Sequence, residues 1–267
     1  MNCDTTTTKN AARGFFRRAS RAFTLIELLV VITIIAILAG IGLPHLKGWG
    51  EANIMTSATR QLMDDLAFAR LKAISTRSAV YVVFISGDVV DPARFNALSA
   101  NEKKHASNLW SGQFTTYALF TSNNVGDQPG RPTAKYLTPW KSLPDKVFIA
   151  TNKFDDIGNA ARLMRPETNR PFAYQSFPFP SATNTSGFVL PYIKFNPRGQ
   201  LVSENNEGAT IPLARGSIFY ARNAEGSLVL GPADAVETPP QNSVNNQNLI
   251  RVDWLTGRAR VERGEIQ

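Results

Sequence analysis

One carboxylate, Glu27, lies inside an otherwise uncharged apolar run of 21 residues, FTLIELLVVITIIAILAGIGL at 23–43. A carboxylate in a membrane helix costs on the order of 2.5–3.5 kcal/mol on insertion scales, so it favours a cationic partner at the same depth. A cut between Ala22 and Phe23 would supply that cation as the new α-amine of Phe23, whose pKa is ordinarily about 7.7–8.0. Residues 23 and 27 are about 6 Å apart along a helix axis, so the amine and the carboxylate pair imperfectly within one chain. A neighbouring helix that is shifted along its axis would bring the two charges together. These residues predict an assembly of parallel helices.

The run at 23–43 has the length of a membrane helix, since its residues at about 1.5 Å each span roughly 31 Å. The charged residues before it are five basic and one acidic: Lys9, Arg13, Arg17, Arg18, Arg21 and Asp4. The positive-inside rule therefore predicts one membrane pass with a cytoplasmic N-terminus. Glu27 could also lie near enough to the helix end to reach the lipid headgroups, and this simpler interpretation stays open.

The composition indicates a folded chain with a targeting segment. The 267 residues are 43% hydrophobic and carry a net charge of +8, which excludes a wholly disordered protein. Residues 1–22 hold +4 of that charge, so the basic character favours a leader over a basic binding domain. The one cysteine, Cys3, lies in that leader, so the rest of the chain can form neither a disulfide nor a thiol active site.

Residues suited to catalysis or metal binding are sparse. The two histidines, His45 and His105, show no metal-ligand spacing, and no phosphate-binding glycine loop or nucleophile elbow occurs. The adjacent Asp155 and Asp156 could touch Ca²⁺, although two such residues are more typical of a solvated loop. We expect no enzyme activity, no cofactor and no resident metal.

The junction between leader and apolar run carries a recognisable pattern. RAFTLIE at 21–27, followed by LLVVI at 28–32, resembles the type IV prepilin signature, whose family includes pilins and the pseudopilins of type II secretion. The resemblance implies cleavage after Ala22 by a prepilin peptidase, methylation of Phe23, and filament assembly guided by Glu27. It also implies an inner-membrane protein with a periplasmic head that can extend into a filament. Ala22 departs from the family, which most often has Gly at this position.

Beyond the apolar run the helical pattern continues. Pro44 lacks an amide hydrogen and clashes with the preceding turn, which predicts a kink or local unwinding, with a plain linker as the alternative. From about residue 51, apolar side chains recur at steps of three and four, which predicts a face that packs on a sheet. They are Met55, Ala58, Leu62, Leu66, Ala69 and Ala73. The chain then divides into a leader at 1–22, a transmembrane half-helix at 23–43, a periplasmic amphipathic half-helix at 44–77 and a head at 78–267.

The head reads as a series of short strands. Runs rich in Val, Ile, Phe and Tyr, separated by Pro, Gly and Asn, lie at 79–85, 114–120, 146–150, 188–195, 217–221, 227–230, 249–255 and 258–262. They predict an α+β, pilin-like fold in which one long N-terminal helix, membrane-spanning in its first half, packs on an antiparallel sheet. The intervening stretches at 87–113, 121–135, 151–187 and 231–248 are predicted to be surface insertions.

The head also carries a resemblance of its own. LAFARLKAI at 66–74 runs into VYVVF at 80–84, and WKSLPDKVFI at 140–149, KFNPRGQ at 194–200 and RVDWLTGRAR at 251–260 follow in order. This series is similar to the H-type minor pseudopilins of type II secretion and the T-type minor pilins. It implies a structural subunit that packs against other pilins or pseudopilins and presents its head to them or to secreted cargo.

Two other functions stay open. The sequence GRAR at 257–260 is similar to a pattern near the C-terminus of T-type minor pilins linked to DNA uptake, where Arg258 and Arg260 would bind phosphates. A two-residue turn at 256–257 would instead place Asp253 opposite Arg260 and Arg251 opposite Glu262, which predicts a mostly paired solvent face. The third alternative is a single-pass membrane protein with an unrelated binding head.

Overall fold

The structure is a computed structural model. It describes residues 24–87, 92–123, 127, 133–154, 170–183, 187–203, 206–224, 226, 229, 231–245 and 248–263, without the side chains of 41–52, 92 and 263. The helices are α1 Leu25–Thr76, α2 Pro92–Asn96, α3 Ala100–Trp110 and α4 Asn242–Asn245, with a short 3-10 helix at Thr151–Lys153. The strands are β1 Val80–Phe84, β2 Thr116–Thr121, β3 Lys135–Tyr136, β4 Lys141–Ser142, β5 Val147–Ile149, β6 Ala173–Pro178, β7 Gly187–Phe195, β8 Leu201–Val202, β9 Ala209–Phe219, β10 Asp234–Glu237, β11 Asn248–Val252 and β12 Ala259–Arg263.

Contacts divide the chain into two units, Met1–Trp49 and Gly50–Gln267. In the first unit, the described part of helix α1 exposes its apolar side chains on every face. Within the described residues, no helix combines the length and the apolar character that a membrane crossing requires. The predicted membrane helix at 23–43 includes Phe23 and three side chains outside the description, so the crossing stays a prediction.

The backbone of α1 is helical through Pro44. The local unwinding predicted there is therefore wrong as far as the backbone is described, because the flanking turns keep their helical conformation despite the missing amide. A bend at Pro44 stays a prediction.

In the second unit, the first sheet has the order β3-β2-β1-β7-β6, with β4 beside β2 and β8 beside β7. Its pairings are all antiparallel. The central strand β1 is buried on both faces. Alternate side chains of a strand point to opposite faces, so β1 needs a covering layer on each side.

One face of β1 packs on helix α1. The side chains Val80, Val82 and Phe84 share a cluster with the predicted helical stripe, of which Ala58, Leu62, Leu66, Ala69 and Ala73 are buried and Met55 is half-buried. The stripe predicted from the 3.6-residue period is confirmed as the packing face of the helix.

The opposite face of β1 packs on α2 and α3. Tyr81, Val83 and Ile85 join a second cluster with Leu98, Ala106 and Trp110. The stretch at 87–113 was expected to be a surface insertion, and this expectation is wrong for its described part. These residues form helices because they cover apolar side chains that would otherwise be exposed.

The second sheet has the order β10-β9-β11-β12, with β5 also beside β9. Its core-facing side chains, among them Ile211, Leu213, Ile250 and Val252, join the α1 cluster. The α+β class and the antiparallel pairing are confirmed, and the single sheet is corrected to two. The expected insertions also contain β6 and β10, and the strand expected at 217–221 is the end of the longer β9. The strand expected at 227–230 lies mostly outside the described residues.

Candidate assembly and anion-binding sites

The predicted processing site, Ala22 and Phe23, lies outside the described residues. Glu27 is described, and its exposed side chain lies in the first turn of α1. The Thr24 hydroxyl accepts a hydrogen bond of 3.3 Å from the Glu27 amide, as an N-cap residue does for the third helical residue. A carboxylate in this first turn is favoured by the positive end of the helix dipole. The Thr24–Glu27 spacing is a capping pattern that can be read from the sequence, although it was not among the predicted features.

The helix around Glu27 is apolar on all sides. Its large side chains are 43–83% exposed, and they are Leu25, Ile26, Leu28, Leu29, Val30, Val31, Ile32, Ile34, Ile35, Ile37 and Leu38. A helix with this all-round pattern is stable only when lipid or other helices cover it. Glu27 is therefore an exposed carboxylate on a helix that needs such neighbours.

The second candidate site is the hairpin of β11 and β12. Arg251 lies opposite Arg260, and Val252 lies opposite Ala259. The Asp253 amide donates to the Arg258 carbonyl at 3.0 Å, so the connection is a four-residue loop at 254–257. The predicted two-residue turn is wrong. The register differs from the predicted one by two residues, which keeps every side chain on its expected face.

The loop is longer because Asp253 organises it. The Asp253 carboxylate accepts hydrogen bonds from the Thr256 amide at 2.7 Å and the Thr256 hydroxyl at 2.8 Å. These two bonds, the backbone bond first, lower the pKa of Asp253, and the charge of Arg260 lowers it further. An acidic side chain that bonds its own loop backbone favours this closed turn.

The two arginines proposed for phosphate binding differ in their surroundings. Arg260 lies 2.9 Å from the Glu262 carboxylate, which also lies 3.5 Å from Arg251. The exposed Arg258 forms no ion pair within the described ranges. Arg258 is thus more available to an anion than Arg260.

Helix α1 adds a third arginine to this loop. Arg70 donates from Nε to the Thr256 carbonyl at 2.7 Å. A Cβ at Gly257 would lie 3.4 Å from Arg70 Cδ, and one at Gly199 would lie 3.3 Å from Arg70 Cγ. The turns containing Arg198 and Arg258 therefore both contact the Arg70 stem, and we name Arg70, Arg198 and Arg258 the arginine junction. Sequence reasoning missed Arg70 and Arg198, because no local pattern links residues so far apart.

Other predicted chemistry gains no support from the described residues. Among them, no group of three or more His, Cys, Asp or Glu side chains could hold a metal ion. Asp155, Asp156 and the side chain of His45 lie outside the description, and His105 is exposed on α3.

Comparison with known proteins identifies the N-terminal region. Residues 17–43 match the family model described as the prokaryotic N-terminal methylation motif. The match includes Ala22, Phe23 and Glu27, and it supports a type IV pilin-like subunit that is processed as a prepilin. It points to a structural subunit, prepared by a prepilin peptidase and assembled with other pilins, rather than to an enzyme. Comparisons with curated proteins and with solved structures gave no match.

Proposed function

We propose that this chain is a minor pilin-like or pseudopilin subunit of a type II secretion or type IV pilus filament. A prepilin peptidase cleaves it between Ala22 and Phe23, Phe23 is methylated, and the apolar helix anchors it in the inner membrane before assembly. The observation that carries the proposal is the methylation motif at 17–43, with Glu27 in the first turn of an apolar helix.

Glu27 serves in this proposal as the axial alignment residue. Its carboxylate pairs with the α-amine of Phe23 on an adjacent helix, and the exposed apolar side chains around it pack on that neighbour. Breaking one half of a buried charge pair typically costs about 3–5 kcal/mol. A Glu27 that only reaches the headgroups would carry no such penalty, so the two roles predict opposite effects of removing the charge.

The test is the incorporation of Glu27 variants into filaments at equal membrane levels. Glu27→Ala and Glu27→Gln should insert at least as well as wild type, since a membrane carboxylate costs about 2.5–3.5 kcal/mol. Both should be depleted from sheared filaments and from cross-links to neighbouring subunits. Thr24→Ala is the matched control, because it removes the 3.3 Å cap bond and keeps the charge. Wild-type incorporation of Glu27→Gln would contradict the alignment role.

The second candidate function is DNA binding by a minor pilin of a competence pilus. The arginine junction favours it, because two turns that each carry an exposed arginine approach the Arg70 stem. Phosphate contacts from such residues give salt-dependent binding. Retardation of duplex DNA by the purified chain tests it: Arg258→Ala should weaken binding more than Arg260→Ala, whose guanidinium is already paired with Glu262. Equal effects, or no retardation at low salt, would remove this candidate.

The third class, a single-pass protein with an unrelated binding head, differs from both at the N-terminus. It would keep residues 1–22 or lose them at another site. Processing at Phe23 therefore distinguishes the filament subunit from it, and secretion or pilus phenotypes of a deletion strain distinguish the two machines.

A further inference from the structure

A groove of about 460 Å³ lies in the head between the end of α3, the connection from β4 to β5, and the last residues of β9. We name it the β9 groove. Residues that matter for its chemistry are Trp140, Asp145, Lys146, Ile218 and Tyr220. Its volume lies within the range of roughly 300–1,000 Å³ that is typical of ligand pockets.

One wall of the β9 groove is a strand edge where pairing stops. Strand β5 pairs along β9 up to Val147 opposite Arg215, and the Gly216 amide then donates to the Lys146 carbonyl at 3.0 Å. The next bonded position would join Ile218 to Pro144. Proline has no amide hydrogen to donate, and a positive φ of 67° at Lys146 carries the chain away from β9. Strand β5 therefore leaves the position beside Ile218 empty.

The other side of β9 does not use the Ile218 backbone either. Strand β10 pairs there with Ser217 opposite Val236 and Ile218 opposite Ala235, and the Thr238 amide donates to the Arg215 carbonyl at 2.7 Å. Bonded pairs alternate along an antiparallel ladder, so Arg215, Ser217 and Phe219 direct their amides and carbonyls towards β10.

Ile218 and Tyr220 must then direct their amides and carbonyls into the groove. Within the described ranges, no protein group bonds to either backbone there. The two residues are one ladder repeat apart, roughly 6.8 Å, which is the spacing that another strand presents.

We propose that the β9 groove binds an extended peptide segment of a partner protein, which adds as a strand beside Ile218 and Tyr220 and continues the line of β5. An added strand satisfies these backbone groups in pairs, which is the basis of recognition by β-strand addition. The side chains of Trp140, Ile218 and Tyr220 line the same groove and offer apolar surface to alternate residues of the peptide. The site is independent of N-terminal processing, so its failure would leave the proposed subunit role untouched.

Charge complements this geometry at one end. Asp145 and Lys146 are both exposed at the rim of the groove, and neither forms an ion pair with any residue that the structure describes. Because the two side chains have opposite charges, a complementary partner segment carries one basic residue to pair with Asp145 and one acidic residue to pair with Lys146, placed between apolar ones. Such pairing sets register and preference more than affinity.

Fluorescence anisotropy on the full-length purified chain tests the proposal. The probe is the fluorescein-labelled heptapeptide TVKVEVT. We expect saturable binding, weakened at least tenfold in Ile218→Pro. That substitution removes the amide that faces the groove together with the Ile218 side chain that lines it, at a position where an edge strand tolerates proline.

Ala235→Pro is the matched control. Strand β10 is an edge strand, and the same alternation makes the Ala235 amide point away from β9, so its loss should leave peptide binding unchanged. Tyr220→Ala, which removes a groove side chain without altering a strand amide, should also weaken binding and covers the case in which Ile218→Pro fails to fold. The proposal is overturned if the wild-type chain shows no saturable binding up to about 1 mM peptide, or if all variants bind equally.

Discussion

The hydroxyl of Tyr117 in strand β2 donates a hydrogen bond of 2.7 Å to the carboxylate of Asp65 in helix α1. The other oxygen of Asp65 accepts from Lys141 Nζ at 2.6 Å, and Gln61 donates to the Tyr117 oxygen at 3.1 Å. Asp65 is buried where helix α1 meets the sheet. A buried carboxylate is stable only with such partners, so this network fixes the register of the head half of α1 on β2.

Tyr117→Phe should therefore lower the free energy of unfolding by about 1.5–3 kcal/mol, because a hydrogen bond to a charged group is lost. Urea denaturation of the purified protein measures the change. In an Asp65→Asn background the same substitution should cost at least 0.5 kcal/mol less, as expected for coupled neighbours. Equal costs in both backgrounds would show that the two side chains are not coupled.

Alkaline pH should destabilise the head through its buried tyrosines. Burial, together with the hydrogen bond to Asp65, raises the pKa of Tyr117 well above its usual value, and burial raises the pKa of Tyr220 to about 12. Unfolded tyrosine titrates near pKa 10, so above about pH 10 the unfolded chain loses protons that the folded chain keeps. Stability is then complete below about pH 10 and falls as the pH rises further.

The measurement is urea denaturation at several pH values between about 9 and 11.5. Tyr117→Phe should show a shallower decline than wild type, since it removes one of the shifted groups. A wild-type free energy of unfolding that stays constant or rises over this interval would contradict the expected direction.

Leu62 and Leu71 lie on opposite sides of α1, so truncation should destabilise the protein at Leu62 and have little effect at Leu71. Leu62 is 0% exposed in the α1 cluster, whereas Leu71 is 59% exposed. Leu62→Ala should cost about 2–5 kcal/mol through lost burial and a residual cavity. Leu71→Ala should stay within about 0.5 kcal/mol of wild type. Similar losses in both variants would mean that the helix packs on a different face.

The close approach of two turns predicts an intolerant glycine. Gly257 has φ +62°, and a Cβ there would lie 1.9 Å from the Gly199 carbonyl oxygen. Gly257→Ala should thus cost more than the roughly 1–2 kcal/mol expected for the left-handed backbone alone. Gly226 has φ +79°, and no atom of the described residues lies within 4 Å of a Cβ placed there, so Gly226→Ala isolates the backbone effect. Thermal denaturation compares the two variants. An equal change in Tm for both would contradict the close approach of Gly257 to the Gly199 carbonyl.

Local patterns predicted the elements whose side chains follow a helical period or have a strand-like composition. The α1 stripe followed the 3.6-residue period, and β1, β2, β7, β11 and β12 followed runs of β-branched and aromatic residues. Helix α3 was missed although Ser99 and Glu102 form a capping box, because its polar surface resembles an insertion. Only tertiary structure shows that Trp110 covers the second face of β1.

The remaining differences come from contacts between distant residues. The division into two sheets depends on which strands pair with β9, and no local period encodes that choice. The Thr-Gly sequence of the hairpin was compatible with a two-residue turn. The hydrogen bond from Thr256 to Asp253 instead stabilises a four-residue loop, and this loop sets the register of the hairpin. At the candidate sites, the sequence singled out Glu27 and Arg258, whose roles stay predictions. The groove-facing backbone of Ile218 could not be predicted, because it becomes visible only once both neighbours of β9 are known.

The central claim is that the chain is a prepilin-processed filament subunit, and its most direct test is the N-terminus of the mature protein. Mass spectrometry of protein recovered from membranes of cells with an active prepilin peptidase should find chains that begin at Phe23 with one added methyl group on the α-amine. Glu27→Ala should be cut at the same bond, since its predicted defect lies in assembly. Intact chains that retain residues 1–22, in cells where the peptidase processes its other substrates, would contradict the account.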